Sequence, residues 1–371
     1  MKQHLDKLDF LRGIAIILVV GYHIMAGVYG DYALQNYNGF FLYTSGATTS
    51  RVLLNLSPFA FGNTGVTLFL ILSGFLIHYN YISYNYISKD VKFNTLLFYN
   101  KRFWRIYPPY LLALIIFGIF YEASLSDWFH HLFMIHNLRN EFIYSINPSF
   151  WSLALEVQLY LIYPLFLFLY HKFGYKRSFL ITAAISFSLV MARIVVDIEK
   201  TTYIKSVFSY WIIWTSGAYL AHLYYHKKRL IAINFTHLIV LSLSLILLRL
   251  TVVHHYFSPY LFTLLFILLI DWILHTEIAK TKIYSIIETI GLCSYSLYLF
   301  HHPVILFFQD NVFKQYQFAP ITKTIILVAV SGLVTLISYV SYRKIEIPAA
   351  NFGSFFYKRF LQKTLPSANQ D

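Results

Sequence analysis

An all-α membrane protein with about ten transmembrane helices is the fold class this sequence predicts, and three observations predict it. The chain of 371 residues is 58% hydrophobic but only 12% charged, whereas soluble domains carry about 25% charged residues. Its apolar residues gather into runs long enough to cross ~30 Å of hydrocarbon, near 8–29, 59–81, 105–122, 150–171, 178–197, 204–224, 230–250, 257–276, 284–308 and 320–342. The connections between these runs alternate in charge. Most of the 29 Lys and Arg residues fall in every second connection, for example around Lys2 and Lys7, Lys101 to Arg105, Lys227 to Arg229, and Arg343 and Lys344. By the positive-inside rule both termini face the cytoplasm, which predicts a multi-pass protein of the cytoplasmic (inner) membrane. A net charge of +13 could suggest nucleic acid, but basic residues confined to short loops indicate membrane topology and no nucleic-acid partner.

The first run, LDFLRGIAIILVVGYHI, is too long for a signal-peptide core and follows Asp6 and Asp9, so it is expected to stay as a helix. It carries Arg12 and His23, eleven positions apart and hence on one face, roughly 16 Å from each other. Ionisable residues within a span are costly and usually face the protein interior at a pathway or reaction site. The alternative for Arg12 alone is an anchor at the helix end. His23 lies well inside the run.

Helix 3 enters with YNKRFWRIYPPYLLAL. Arg102 and Arg105 are three residues apart and share a face, and their planar guanidinium forks suit phosphate oxygens. Charge alone leaves a head-group anchor equally open. Pro108 and Pro109 should disturb the following turns and widen a cavity. Between helices 3 and 4, SDWFHHLF predicts a short interfacial helix capped at Ser126 and Asp127.

Helix 4 runs back through NPSFWSLALEVQLYLIYPL. Glu156 lies six residues past Phe150, about 9 Å from one membrane edge, and His23 lies fourteen past Asp9, about 21 Å from the other. In a ~30 Å core these depths meet. That predicts either an acid–base pair in which Glu156 orients and charges His23, or a structural pair that only neutralises Glu156. Arg193 and Asp197, four apart, read as a local ion pair.

Helix 9 carries CSYSLYLFHHPVI. There His301 either touches substrate or hydrogen-bonds a carbonyl freed by Pro303. None of the fifteen histidines has a metal-binding spacing and Cys293 is the single cysteine, so no metal site is expected. Residues 1–350 form one transmembrane domain and 351–371 a short cytoplasmic tail. No internal repeat is evident.

These segments together resemble the acyltransferase-3 family of integral membrane O-acyltransferases. LDFLRGIAIILVVGYH is similar to its opening signature, including the Arg, ten residues, His arrangement; GVTLFLILSGFLI to its second-helix motif; RFWRIYPPYLLAL to its Arg-x-x-Arg segment. FWSLALEVQLYLIYPL, SYSLYLFHHPV and SYRKIEIP are similar to the signatures of helices 4, 9 and 10. The matches run in order from residue 8 to about 348.

The resemblance implies transfer of an acyl group, most commonly acetyl from acetyl-CoA, to a hydroxyl of a cell-surface or lipid-linked saccharide. It implies no bound cofactor, with acyl-CoA as co-substrate, and a stand-alone form without a C-terminal SGNH-type domain. His23 is then the general base or nucleophile and Glu156 the acid that supports it. Arg12, Arg102 and Arg105 serve the acyl donor, and Tyr160, Tyr298 and His301 are candidate substrate contacts. His302 replaces a more usual aromatic. A polytopic glycan transporter or flippase, or an acyltransferase of a small molecule, remains the alternative expectation. The acceptor sugar and the oligomeric state are not specified by sequence.

Overall fold

The computed structural model describes residues 2–30, 54–87, 93–196, 201–248 and 252–362, and among these every regular element is helical. Helix α1 spans Lys2–Tyr29 and α2 Gly62–Ile87, introduced by a 3-10 turn at Pro58–Phe61. Then follow α3 (Thr95–Phe120), the short α4 (Leu125–Leu132), α5 (Phe150–Leu161) and α6 (Tyr163–Val196). After the single turn α7 (Thr201–Ile204) come α8 (Trp211–Tyr225), α9 (Phe235–Leu248) and α10 (Val252–His275). The chain closes with α11 (Lys282–Leu292), α12 (Ser294–Phe307), α13 (Pro320–Ser341) and α14 (Ile347–Phe356).

The protein is a polytopic α-helical membrane protein. Among the described residues six helical stretches are each long and apolar enough to cross a bilayer, and the pair α11–α12, bent by 78°, would add a seventh. Apolar runs and helices do not map one to one, because breaks fall inside the runs. The run 150–171 is divided at Ile162 between α5 and α6, and α6 itself is kinked at Gly174, whose φ of 79° only glycine adopts without strain. Large apolar side chains such as Ile119, Ile325 and Leu336 are more than 60% exposed, which water would penalise and lipid does not.

The core is aromatic: Trp211, Trp214, Tyr110, Tyr163, Phe75 and Phe150 are all fully buried. Helix α1 is central, packed against α2, α11, α12 and α13. Its approach to α11 depends on Gly291, where a Cβ would stand 1.8 Å from the Asp9 carbonyl oxygen. Both neighbours there are backbone and cannot rotate away, so a small residue is what lets the two helices touch. Gly291→Ala is therefore expected to lower the thermal midpoint of the detergent-solubilised protein by several degrees, through an overpacking cost of about 1–3 kcal/mol. An unshifted melting curve would show that the helices yield freely.

One local expectation is corrected. Helix α4 is capped by Ser124 rather than Ser126: the Ser124 hydroxyl accepts from Asp127 N–H while the Asp127 carboxylate accepts from Ser124 N–H. Only Ser124 has the reciprocal three-residue spacing; Ser126 already lies in the first turn. The Arg193–Asp197 pair lies outside the described residues, because Asp197 is not among them. At the other end of the chain, residues 351–361 continue the helical stretch from Pro320 and pack on α3. Asn100 donates to the Gly353 carbonyl at 2.7 Å, and Trp104 meets Phe352 edge-on at 4.7 Å.

Candidate active site

A cavity of about 380 Å³ opens at the end of the bundle where α1 and α3 begin. Its size is that of a small-molecule site. Arg12, Arg102 and Arg105 all line it, with Glu156, Tyr160 and Glu346. Arg12 is paired with Asp9 one turn earlier at 3.0 Å. Arg102 and Arg105 make no ion pair among the described residues. The Arg102 guanidinium lies over the Phe98 and Tyr160 rings at 5.7 and 5.6 Å, and its buried Nε has no hydrogen-bond partner. Two guanidinium groups at a cavity mouth, neither in a direct ion pair among the described residues, have the chemistry to receive an anionic ligand.

Glu156 does not pair with His23. The Tyr160 hydroxyl, one turn later on α5, donates to the Glu156 carboxylate, and the same hydroxyl bonds Ser73 Oγ on α2 at 3.0 Å. Trp214 Nε1 completes this chain by donating to Ser73 Oγ at 3.4 Å. Glu156 therefore faces the arginine end of the cavity. Counting residues along each helix gives a level but does not say which way a side chain points.

His23 belongs to a separate cluster of three imidazoles. Its Nδ1 is 3.0 Å from His301 Nε2, and its ring stacks on His302 with centroids 3.8 Å apart. His301 Nδ1 is 3.0 Å from both the Leu297 and Tyr298 carbonyl oxygens. Carbonyls only accept, so His301 carries its proton on Nδ1 and presents a bare Nε2. That Nε2 accepts from His23 Nδ1–H, which leaves the lone pair of His23 on Nε2. His301 is fully buried, whereas His23 and His302 are each only partly enclosed.

The helix-breaking Pro303 frees the Leu299 carbonyl one turn earlier. Asn147, not His301, satisfies it, donating through Nδ2 at 2.9 Å. Asn147 begins the 147–152 turn into α5, which ties the cluster to the cavity. Ser149 Oγ bonds His302 Nδ1 at 2.8 Å. Ser152 Oγ and the Tyr298 hydroxyl, 2.6 Å apart, both lie on the cavity wall, and Tyr298 packs against His301. A hydroxyl pair thus stands between the arginine-lined cavity and the histidines.

Over residues 5–343 the sequence matches the family described as an acyltransferase domain. The chain belongs to this family. Among its curated relatives are the peptidoglycan O-acetyltransferase OatA of Listeria monocytogenes, 24% identical over 405 residues and 98% of this chain, and the O-acetyltransferase OatA of Staphylococcus aureus, 25% identical over 390 residues and 95% of this chain. The chain spans 58% of the length of each. No solved structure matches it.

Sequence reasoning about this acyltransferase-family chain missed several residues that the fold brings to the cavity. Glu346 is the clearest. Its carboxylate accepts from Ser296 N–H at 3.1 Å and from the Ser296 hydroxyl, so it caps the N-terminus of α12 where the 78° bend leaves donors unpaired. An acid inside SYRKIEIP, at the end of a long apolar run, was the available signal. Ser73, Ser149 and Ser152 gave none, since hydroxyls are common in helices. Among the described residues no cluster of three His, Cys, Asp or Glu side chains could hold a metal.

Proposed function

We propose that this protein is a membrane O-acyltransferase that moves an acetyl group from acetyl-CoA to a hydroxyl of a cell-surface saccharide. The observation that carries the reading is the pairing of two unpartnered arginines at one end of a cavity with a His23–His301 dyad beyond its other end. Arg102 and Arg105 bind the phosphates of the donor, with Arg12 alongside. The pantetheine arm extends along the cavity past Phe69 and brings the thioester to the Ser152–Tyr298 hydroxyls. His23 Nε2 removes the proton of the acceptor hydroxyl as its oxygen attacks the thioester carbonyl. The carbon–sulfur bond then breaks, and the thiolate takes the proton back from the imidazolium. Glu156, fixed by Tyr160, balances the arginines when the cavity is empty.

The donor end then lies at the cytoplasmic face of the inner membrane, with both termini, and the acceptor approaches from outside. The names of the relatives support a peptidoglycan-type glycan as acceptor. Proteoliposomes given acetyl-labelled acetyl-CoA on one side and peptidoglycan fragments on the other test both points. The expected result is free thiol on the donor side and an equal amount of labelled acetyl ester in the saccharide. Saccharide that crosses the bilayer unmodified, without thiol release, would favour a transporter instead.

A further inference from the structure

Outside the histidine cluster Lys205 sits in an aromatic cradle. Lys205 Nζ lies 3.9 Å from the centre of the Trp151 ring and 4.7 Å from that of Tyr144, and it donates to the Tyr144 hydroxyl at 2.6 Å. Tyr210 braces Trp151 edge-on at 6.0 Å. Among the described residues no carboxylate comes within ion-pair distance of this amine. A desolvated ammonium is costly without a counter-ion, and aromatic faces offset only part of that cost. The cradle is reachable, since Tyr144 is 44% exposed.

Its position links it to the chemistry. Trp151 lies in the same 147–152 turn as Ser149, which holds His302, and Ser152, which lines the cavity. Lys205 is also within electrostatic range of His23. Nothing in the acyl-transfer step uses this lysine. A group placed on it would lie against Trp151, two residues along the chain from the Ser149 that holds His302.

We propose that Lys205, held by Tyr144 and Trp151, is the specificity-determining site for an anionic saccharide acceptor, whose charge it seats so that a hydroxyl reaches His23. This assignment rests on the acyl-transfer reading above. The charge is a carboxylate on the sugar or a phosphate that links it, since one ammonium accepts either. A docked anion would favour the charged form of the amine.

The test uses purified full-length protein, acetyl-CoA and three probes. These are a muramyl disaccharide with its lactyl carboxylate free, the same disaccharide as the neutral amide, and that amide carrying an anomeric phosphate. With wild type, kcat/KM for at least one anionic probe is expected to exceed that for the amide by about ten- to a hundredfold, the range for a charge-assisted hydrogen bond. The favoured anionic probe identifies the source of the charge. Lys205→Gln should erase the preference while leaving the amide's kcat/KM and the KM for acetyl-CoA unchanged. Lys205→Arg should retain most of it, which guards against misfolding as the explanation. Equal use of all three probes by wild type overturns the Lys205 assignment but leaves acyl transfer standing. An equal loss on charged and neutral probes in Lys205→Gln overturns it too, by showing a structural role. No acetyl ester on any probe would overturn both this assignment and the acyl-transfer reading beneath it.

Discussion

His23→Ala is expected to yield a protein that inserts, folds and binds acyl-CoA as wild type does, and that transfers no measurable acyl group. Asparagine at 23 should be equally inert. It can donate one hydrogen bond toward His301 Nε2, but no atom of its amide accepts a proton near neutral pH. General base catalysis contributes typically 10²–10⁴-fold, so the loss in kcat should fall in that range or beyond it. His301→Phe should be milder. It keeps the bulk between His23 and Tyr298 but removes the acceptor that receives the His23 Nδ1 proton. The two His23 tautomers then compete, and kcat should drop by about tenfold with little change in the KM for the donor. Acyl transfer by His23→Asn within a few-fold of wild type would sink the mechanism. Catalysis would then have to be sought at His302, whose ring lies against His23.

Much of this architecture was legible in the sequence because lipid imposes a simple rule on it. A span must be apolar along its length and helical throughout, so the runs at 8–29, 59–81 and 105–122 became α1, α2 and α3 nearly as read. Bends were not legible. Ile162 and Cys293 interrupt helices without interrupting apolarity, since hydropathy measures transfer into lipid and not backbone direction. Gly174 was visible as a glycine, but its kink depends on a φ that a sequence does not record.

The candidate site divides along the same line. Arg102 and Arg105 meet on one cavity because three residues on a helix fix a shared face whatever lies opposite. The same periodicity placed Arg12 and His23 on one side of α1. Partnerships between helices were another matter. Residue counts predict a Glu156–His23 pair, yet Tyr160 claims the one and His301 the other, because azimuth and helix order are set by packing. Pro303 was read as freeing a carbonyl, and it does; that Asn147 would reach it from 152 residues away followed from no local pattern. Lys205 passed without notice because a lysine in a short connection is ordinary. Only the fold puts Trp151 under it.

Truncating the arginines should act on the other substrate. Arg102→Ala and Arg105→Ala are each expected to raise the KM for acetyl-CoA by roughly ten- to a hundredfold, the equivalent of a lost charge-assisted hydrogen bond at about 1.5–3 kcal/mol. The KM for the acceptor should scarcely move, because the cavity mouth and the His23 cluster are separated by the Ser152–Tyr298 hydroxyl pair. Arg102 should be the more sensitive of the two. Its guanidinium is enclosed between Phe98 and Tyr160, so its removal also leaves Tyr160 and the Glu156 carboxylate without their nearby cation. Lysine at either position should recover only part of the affinity, since an ammonium cannot reproduce a two-pronged contact with phosphate. Dephospho-CoA thioesters and simple acyl-pantetheines provide the matching control. If the arginines hold donor phosphates, wild type should lose affinity for these truncated donors, and the alanine variants should discriminate against them far less. Donor kinetics unchanged in both variants, with the full preference for the phosphorylated donor intact, would reduce the pair to anchors among lipid head groups.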